Sequence, residues 1–173
     1  MKENEVKPLA LRALQFATEA HASIGQKRKY SGEDYIVHPI EVSGLVKKYG
    51  GSAEMQAAAL LHDTVEDTPV TIGDINSEFG PVVAKLVADL TDISKPEDGN
   101  RKLRKSMDRD HTANASRDAQ IIKLADLISN TVSIKAEDPN FWKVYKVEKI
   151  ALLDVMTKVT DHPLYKIALE QIK

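Results

Sequence analysis

The sequence predicts a single all-α domain, residues 1–173, built from about eight to ten helices. Two observations carry this. Apolar residues recur at helical spacing along nearly the whole chain, and no segment alternates well enough to read as a strand. Proline and glycine fall where helices should start and stop, at Pro39, Gly50-Gly51, Gly80-Pro81, Pro139 and Pro163. There is no internal repeat and no evident linker.

The elements follow in order. Leu9 to Ala22 is rich in Ala and Leu, with Leu14, Ala17 and His21 recurring at helical spacing. Gly25 to Asp34 is polar and basic and reads as a loop. His38-Pro39 opens a second helix that carries Val42, Leu45 and Val46 and stops at Gly50-Gly51. Ser52 is placed to cap a third, whose apolar body runs from Met55 to Leu61. Thr64 to Val70 reads as a loop. Thr71 begins a short helix ending near Gly80. Pro81 begins another, with Val83, Leu86, Val87 and Leu90 on one face. Ser94 to Gly99 is a break. Arg101 to Arg117 is highly charged, with no evident internal boundary. Asp118 to Ser133 predicts a buried helix through Ile121, Ile122, Leu124, Ala125 and Ile128. Asp138-Pro139 breaks the chain before a long amphipathic helix from Phe141 to Thr160, and Pro163 starts the last one.

Composition narrows the function. Hydrophobic residues make up 42% and charged residues 29%, as in a globular protein with a core rather than a disordered chain. The net charge of -2 offers no bulk attraction to nucleic acid or to an anionic membrane, so an anionic substrate must be held by local charge. There is no cysteine, hence no disulfide and no thiolate chemistry. No apolar run approaches membrane-spanning length. Met1 to Lys7 is charged and lacks a signal-peptide core, so the expected location is cytoplasmic.

Chemistry concentrates at His62-Asp63 and Glu66-Asp67. The apolar run Ala58 to Leu61 leads straight into an imidazole and three carboxylates. Charge at the edge of an apolar helix is costly unless paired or bound to metal. His38, at a loop-to-helix junction, and Asp126, inside the apolar string from Ile121 to Ile128, are the candidate partners. Two His and two Asp form a mixed nitrogen and oxygen set that suits manganese, iron or zinc. A divalent metal acidifies water and polarises a phosphoryl oxygen, and a neighbouring carboxylate can take a proton or aim the water. The combination suits hydrolysis of a phosphoester or phosphoanhydride.

Three separated blocks resemble the hydrolase domain of the RelA/SpoT alarmone enzymes. They are Ala20 to Lys29 continuing through Ser31 to Ile40, then His62 to Thr68, then Lys123 to Asp126. The resemblance covers about Ala17 to Ser133 and implies an HD-type helical bundle. It implies one manganese ion held by His38, His62, Asp63 and Asp126, with Glu66 and Asp67 as the catalytic acids. It also implies nucleotide contacts from Arg28, Lys29 and Asn130. The implied reaction removes pyrophosphate from the 3′ position of (p)ppGpp and leaves GDP or GTP. The chain ends at Lys173 without the family's synthetase, TGS and ACT domains. It is therefore expected to resemble the small stand-alone hydrolases similar to metazoan SpoT homologues. Its partner is then a small-molecule nucleotide, with no nucleic acid and no membrane. The oligomeric state is left open.

The sequence departs from the family pattern at Leu127, Ser129 and Val132, and carries an extra Tyr30 in the basic loop. These positions are expected near the nucleotide pocket, where they bear on base and phosphate preference. Two other readings follow: the same chemistry on NADPH or a nucleoside monophosphate, or a nucleotide sensor without catalysis. The intact Glu66-Asp67 pair argues against the sensor. His21 is expected in a supporting role. His111 and His162 carry no expected function. Arg101, Lys102, Arg104, Lys105 and Arg109 read as a solvated face before a phosphate clamp, although a pyrophosphate needs cations. Phe141, Trp142 and Tyr145 are expected in the core or at an interface.

Overall fold

The computed structural model describes residues 7–173. The charged N-terminal stretch read above, apart from Lys7, lies outside the described residues. Ten α-helices carry the described chain: α1 Leu9–Ser23, α2 Val37–Lys48, α3 Ala53–Leu61, α4 Thr64–Asp67, α5 Ile72–Phe79, α6 Pro81–Leu90, α7 Arg101–Asn114, α8 Arg117–Glu137, α9 Pro139–Val155 and α10 Pro163–Glu170. No strand forms among the described residues, only an isolated bridge between Lys27 and Asp34 in the basic loop. The all-α expectation holds.

Two helices organise the bundle. Ala57, Ala58, Ala59, Leu60 and Leu61 of α3 are all buried, so this helix is apolar on every side and packs on α1, α2, α6 and α8. Helix α8 buries Ile121, Ile122, Leu124, Ala125, Leu127 and Ile128, and packs on α2, α3, α6, α9 and α10. Small alanines let α3 approach α1 and α2 closely, and so bring the end of α3 to the start of α2. Local chemistry sets the boundaries. Ser52 accepts from the Met55 N–H, Ser116 from that of Ala119, and Thr71 with Asp74 forms a capping box. Gly80 turns between α5 and α6 at φ 86°, and a Cβ on Gly51 would lie 2.3 Å from Val46 Cγ1. Among the described residues no helix is long and apolar enough to cross a membrane.

Several sequence expectations are corrected. Thr64 to Val70 is not all loop. Thr64–Asp67 makes one helical turn, with Asp67 N–H bonded to the Asp63 carbonyl and Thr68 N–H to that of Thr64. The turn follows α3 with only His62 and Asp63 between, because both keep helical backbone angles. The charged stretch divides at Ala115-Ser116, where the Ser116 cap starts α8. Helix α8 extends past Ser133 to Glu137. The long amphipathic helix expected to reach Thr160 ends at Val155 as α9, and a 3-10 turn, Thr157–Val159, follows it.

Candidate active site

Residues from α2, the α3–α4 junction and α8 meet at the C-terminal end of α3. His62 and Asp63 sit just past that end, His38 near the start of α2, and Asp126 midway along α8. His62, His38 and Asp126 are buried, and one donor atom from each lies within 4.8 Å of the others. Asp126 Oδ1 is 3.0 Å from His38 Nε2 and 3.6 Å from His62 Nε2. Asp63 stands just outside this tightest group of three, with Oδ2 3.0 Å from His62 Nε2 and 3.8 Å from His38 Nε2. All four residues proposed as ligands from sequence are thus brought together.

The hydrogen bonds behind the histidines decide which nitrogen faces inward. His62 Nδ1 lies 2.7 Å from the Ala59 carbonyl, which can only accept, so Nδ1 carries the proton. His38 Nδ1 lies 3.0 Å from Ser129 Oγ, whose own hydrogen goes to Glu41 Oε2 at 2.7 Å. Ser129 must then accept, and His38 Nδ1 is the donor. In neutral imidazoles both Nε2 atoms present bare lone pairs to two carboxylates. His62 Nε2 has no hydrogen-bond partner. Electron pairs facing one another in a buried site require a cation between them. Without one, the imidazole itself is driven toward the charged form. Burial opposes charge on His62, but Asp63 and Asp126 outweigh it and raise its pKa well above the ordinary value. Burial would likewise raise Asp63, and His62 beside it overcomes this and holds the carboxyl at about 2. Two imidazole nitrogens and two carboxylates fit a first-row divalent metal.

Further groups anchor the carboxylates, and sequence reading missed most of them. Tyr35 OH donates to Asp63 Oδ2 at 2.6 Å. Burial first, and then Asp63, raises the Tyr35 pKa and keeps the donor proton in place. Lys123 donates to Asp126 Oδ2 at 3.0 Å; burial opposes its charge, yet Asp126, Asp92 and Glu66 raise its pKa. Asn130 donates to Asp126 Oδ1 at 2.7 Å, so it braces the carboxylate as well as lining the cleft. Tyr35 and Lys123 lay inside matched blocks without an assigned role, and Asn130 was expected only at the nucleotide.

Helix α4 sets the two remaining acids beside this cluster. Glu66 Oε1 accepts from the Asp92 N–H at 2.5 Å. Glu66 is open to solvent as a whole, but the protein packed around its carboxylate and the nearby charge of Asp92 push its pKa up to about 7. Asp67 Oδ2 accepts from Gln26 Nε2 at 2.9 Å, and Gln26 Oε1 in turn meets His21 Nδ1 at 2.7 Å. His21, expected to be supporting, is buried and orients the Gln26 amide so that its NH₂ faces Asp67. Gln26 was in the matched block but carried no role.

The basic loop divides. The Arg28 guanidinium lies 5.9 Å from the Tyr35 ring centre and donates to Ser133 Oγ at 3.4 Å, at the edge of the site. Lys29 turns away to Asp138, 3.6 Å off, and lies over the Tyr30 and Phe141 rings. The three departures do not share one pocket, contrary to expectation. Leu127 lines the cleft, Ser129 sits behind His38, and Val132 is exposed on an outer groove. Helical periodicity separates them, since residues two and five past Leu127 face other directions. Tyr145 packs against the core, as expected, and also lines the cleft. His111 Nε2 meets the Ala88 carbonyl and His162 caps α10, both local roles.

Comparisons with known proteins agree with this geometry. The HD domain family model matches residues 13–149. The guanosine-3′,5′-bis(diphosphate) 3′-pyrophosphohydrolase MESH1 of Xenopus tropicalis is 35% identical, over 82% of this chain and 78% of its own length. A probable enzyme of the same name from Synechocystis is 47% identical over 87 residues, 50% of this chain but 11% of that longer protein. A solved structure described as a metazoan orthologue of SpoT that hydrolyses ppGpp and plays a role in starvation responses superimposes with a TM-score of 0.82. It shares 28% identity and covers 98% of this chain and 96% of its own. The chain belongs to the HD-domain family, in the branch that holds the SpoT and MESH1 3′-pyrophosphohydrolases.

Proposed function

We propose that the protein is a metal-dependent 3′-pyrophosphohydrolase of (p)ppGpp, releasing pyrophosphate and leaving GDP or GTP, with manganese as its metal. The observation that carries this is the pair of histidines anchored through Nδ1, which turn both Nε2 lone pairs toward Asp63 and Asp126. The activity printed for the MESH1 relatives supports the substrate. The nitrogen and oxygen donors support a metal softer than magnesium.

His38, His62, Asp63 and Asp126 would hold the ion. Bound there, it supplies positive charge to a phosphoryl oxygen and acidifies water. The chain's own residues do the rest. Tyr35, Lys123 and Asn130 hold the two ligand carboxylates in position, so no rotamer search precedes each turnover. Glu66 and Asp67, carboxylates one turn from Asp63, accept the proton of the attacking water or aim it. Gln26 keeps Asp67 an acceptor by donating to it, and His21 keeps Gln26 from flipping. Arg28, at the Tyr35 edge, and Asn130 contact the nucleotide; Lys29 reaches it by leaving Asp138. Leu127 and Tyr145 give the cleft the apolar and aromatic surface that a nucleoside needs.

The deciding experiment is product analysis with ppGpp and added manganese. GDP and pyrophosphate are expected in equal amounts, and chelation should stop their formation. Turnover of NADPH or a nucleoside monophosphate without turnover of ppGpp would move the proposal to another substrate. Tight ppGpp binding with no product would leave only a sensor. A second expected outcome concerns Gln26. In Gln26→Ala, kcat should fall about tenfold while KM for ppGpp stays within about twofold, because one hydrogen bond to an ionised acid is lost and no substrate contact is. A rise in KM with kcat unchanged would place Gln26 on the substrate instead.

A further inference from the structure

Two clefts adjoin at Glu66 and Asp92, and their linings differ in kind. The first, about 250 Å³, contains the ligand carboxylates together with Tyr35, Leu127, Tyr145 and Leu152. The second, about 580 Å³, has no aromatic side chain and is lined by Lys95, Arg101, Arg104 and Lys105 together with Glu66, Asp67, Asp92 and Asp108. Three of these cations come from one face of α7, where positions 101, 104 and 105 are helical neighbours.

The charges of this second cleft are not all spent. Arg101 is taken up by Glu148, with bonds of 2.7 and 2.9 Å, and Lys105 leans on Asp92 at 3.5 Å. Asp108 is a buried acid whose carboxylate accepts from the N–H groups of Ile93 and Ser94 and from Ser94 Oγ. Arg104 and Lys95 enter no ion pair among the described residues. Arg104 Nε is moreover buried with no hydrogen-bond partner. A guanidinium with a dry, unfilled N–H, at the wall of a polar cavity beside another free cation, matches a doubly charged oxyanion.

We infer that this second cleft, through Arg104 and Lys95, binds the terminal phosphate of the substrate's 3′-pyrophosphoryl group and then holds the released pyrophosphate. The inference rests on the hydrolase reading above. The nucleoside occupies the aromatic cleft, the distal phosphate the cationic one, and the bond to be broken falls between them, at Glu66 and Asp67. Water attacks the phosphorus attached to the ribose 3′-oxygen. The P–O3′ bond breaks, its electron pair stays on O3′, and O3′ takes up a proton as pyrophosphate forms. This cleft thereby makes the enzyme prefer a 3′-diphosphate over a 3′-monophosphate.

Two measurements test this separately from the reaction. The first is calorimetric titration of inorganic pyrophosphate into metal-free protein with chelator present. Binding is expected, weakened about tenfold by Arg104→Gln and severalfold by Lys95→Ala. Lys95 is exposed in a loop, so its replacement leaves the fold intact even if Arg104→Gln does not. The second is kcat/KM on ppGpp against the analogue with a single 3′-phosphate. Arg104→Gln should reduce the preference for the diphosphate about tenfold and Lys95→Ala severalfold, with the monophosphate rate within about twofold in both. Equal losses on both substrates, or pyrophosphate binding that ignores both variants, overturns the site. Pyrophosphate binding that depends on Arg104 in a protein that does not hydrolyse ppGpp keeps the anion site and rejects the hydrolase reading. Hydrolysis of ppGpp with no preference that depends on Arg104 or Lys95 does the reverse.

Discussion

Asp126→Ala is expected to abolish turnover, by about 10³-fold or more, and to remove the response of thermal stability to added metal. Asp126 uses both of its oxygens. Its Oδ1 faces both imidazole Nε2 atoms, and its Oδ2 holds Lys123. A metal that binds only the folded protein stabilises it by about 2.7 kcal/mol at a hundredfold excess over Kd. For a chain of this size that is roughly 5–10 °C in Tm. The alanine variant should lose that shift. In metal-free protein it should also be less stable by about 2–4 kcal/mol, because the ammonium of Lys123 loses its bonded carboxylate. Lys123 keeps some contact with water and has Asp92 and Glu66 nearby, so the cost stays at the lower end. Differential scanning fluorimetry with and without manganese reads the first effect, and denaturant unfolding the second. An undiminished metal-dependent rise in Tm would remove Asp126 from the ligand set.

Glu66→Gln is expected to behave differently. Turnover should fall by about 10²–10⁴-fold, the range for loss of a positioned acid or base, while the metal-dependent rise in Tm remains. Glu66 accepts from the Asp92 N–H, a bond the amide oxygen of glutamine can still accept, and hydrogen-bonds to none of the proposed ligands. The variant therefore keeps the α4 geometry and removes only proton-accepting power and charge. Single-turnover assays with saturating ppGpp separate this from weakened binding. Activity within tenfold of the parent would pass the role to Asp67. Together the two variants divide the site: one should lose metal and chemistry, the other chemistry alone.

The site was legible in sequence as types of residue. His62-Asp63 at the end of an apolar helix, with two acids one turn later, is a local pattern, and a histidine beside proline at a helix start is another. The supports were not legible. Ser129 looked like a departure in the substrate pocket, yet it sits behind His38 and, with Glu41, sets which nitrogen faces Asp126. Asn130 looked like a nucleotide contact and also braces Asp126. Gln26 had no role until it was found bonded to Asp67, 41 residues away. The α7 cations read as a solvated face because their i, i+3, i+4 spacing does not say what stands opposite.

Periodicity and capping need only neighbours along the chain, so the helical class, most helix boundaries and the chemical identity of the donors were settled by local patterning. The exceptions are the α4 turn, the α7–α8 boundary and the ends of α8 and α9. The aim of His38, its approach to Asp126 and the hold on Asp67 depend on contacts across 41 to 91 positions, and the bond from Tyr35 to Asp63 spans 28. Such contacts exist only once the alanine faces of α3 have drawn α1 and α2 together and α8 has closed over them. The reaction class could be inferred from an imidazole and its adjacent carboxylates. How each is aimed, and where a pyrophosphate can rest, was decided by the packing of the bundle.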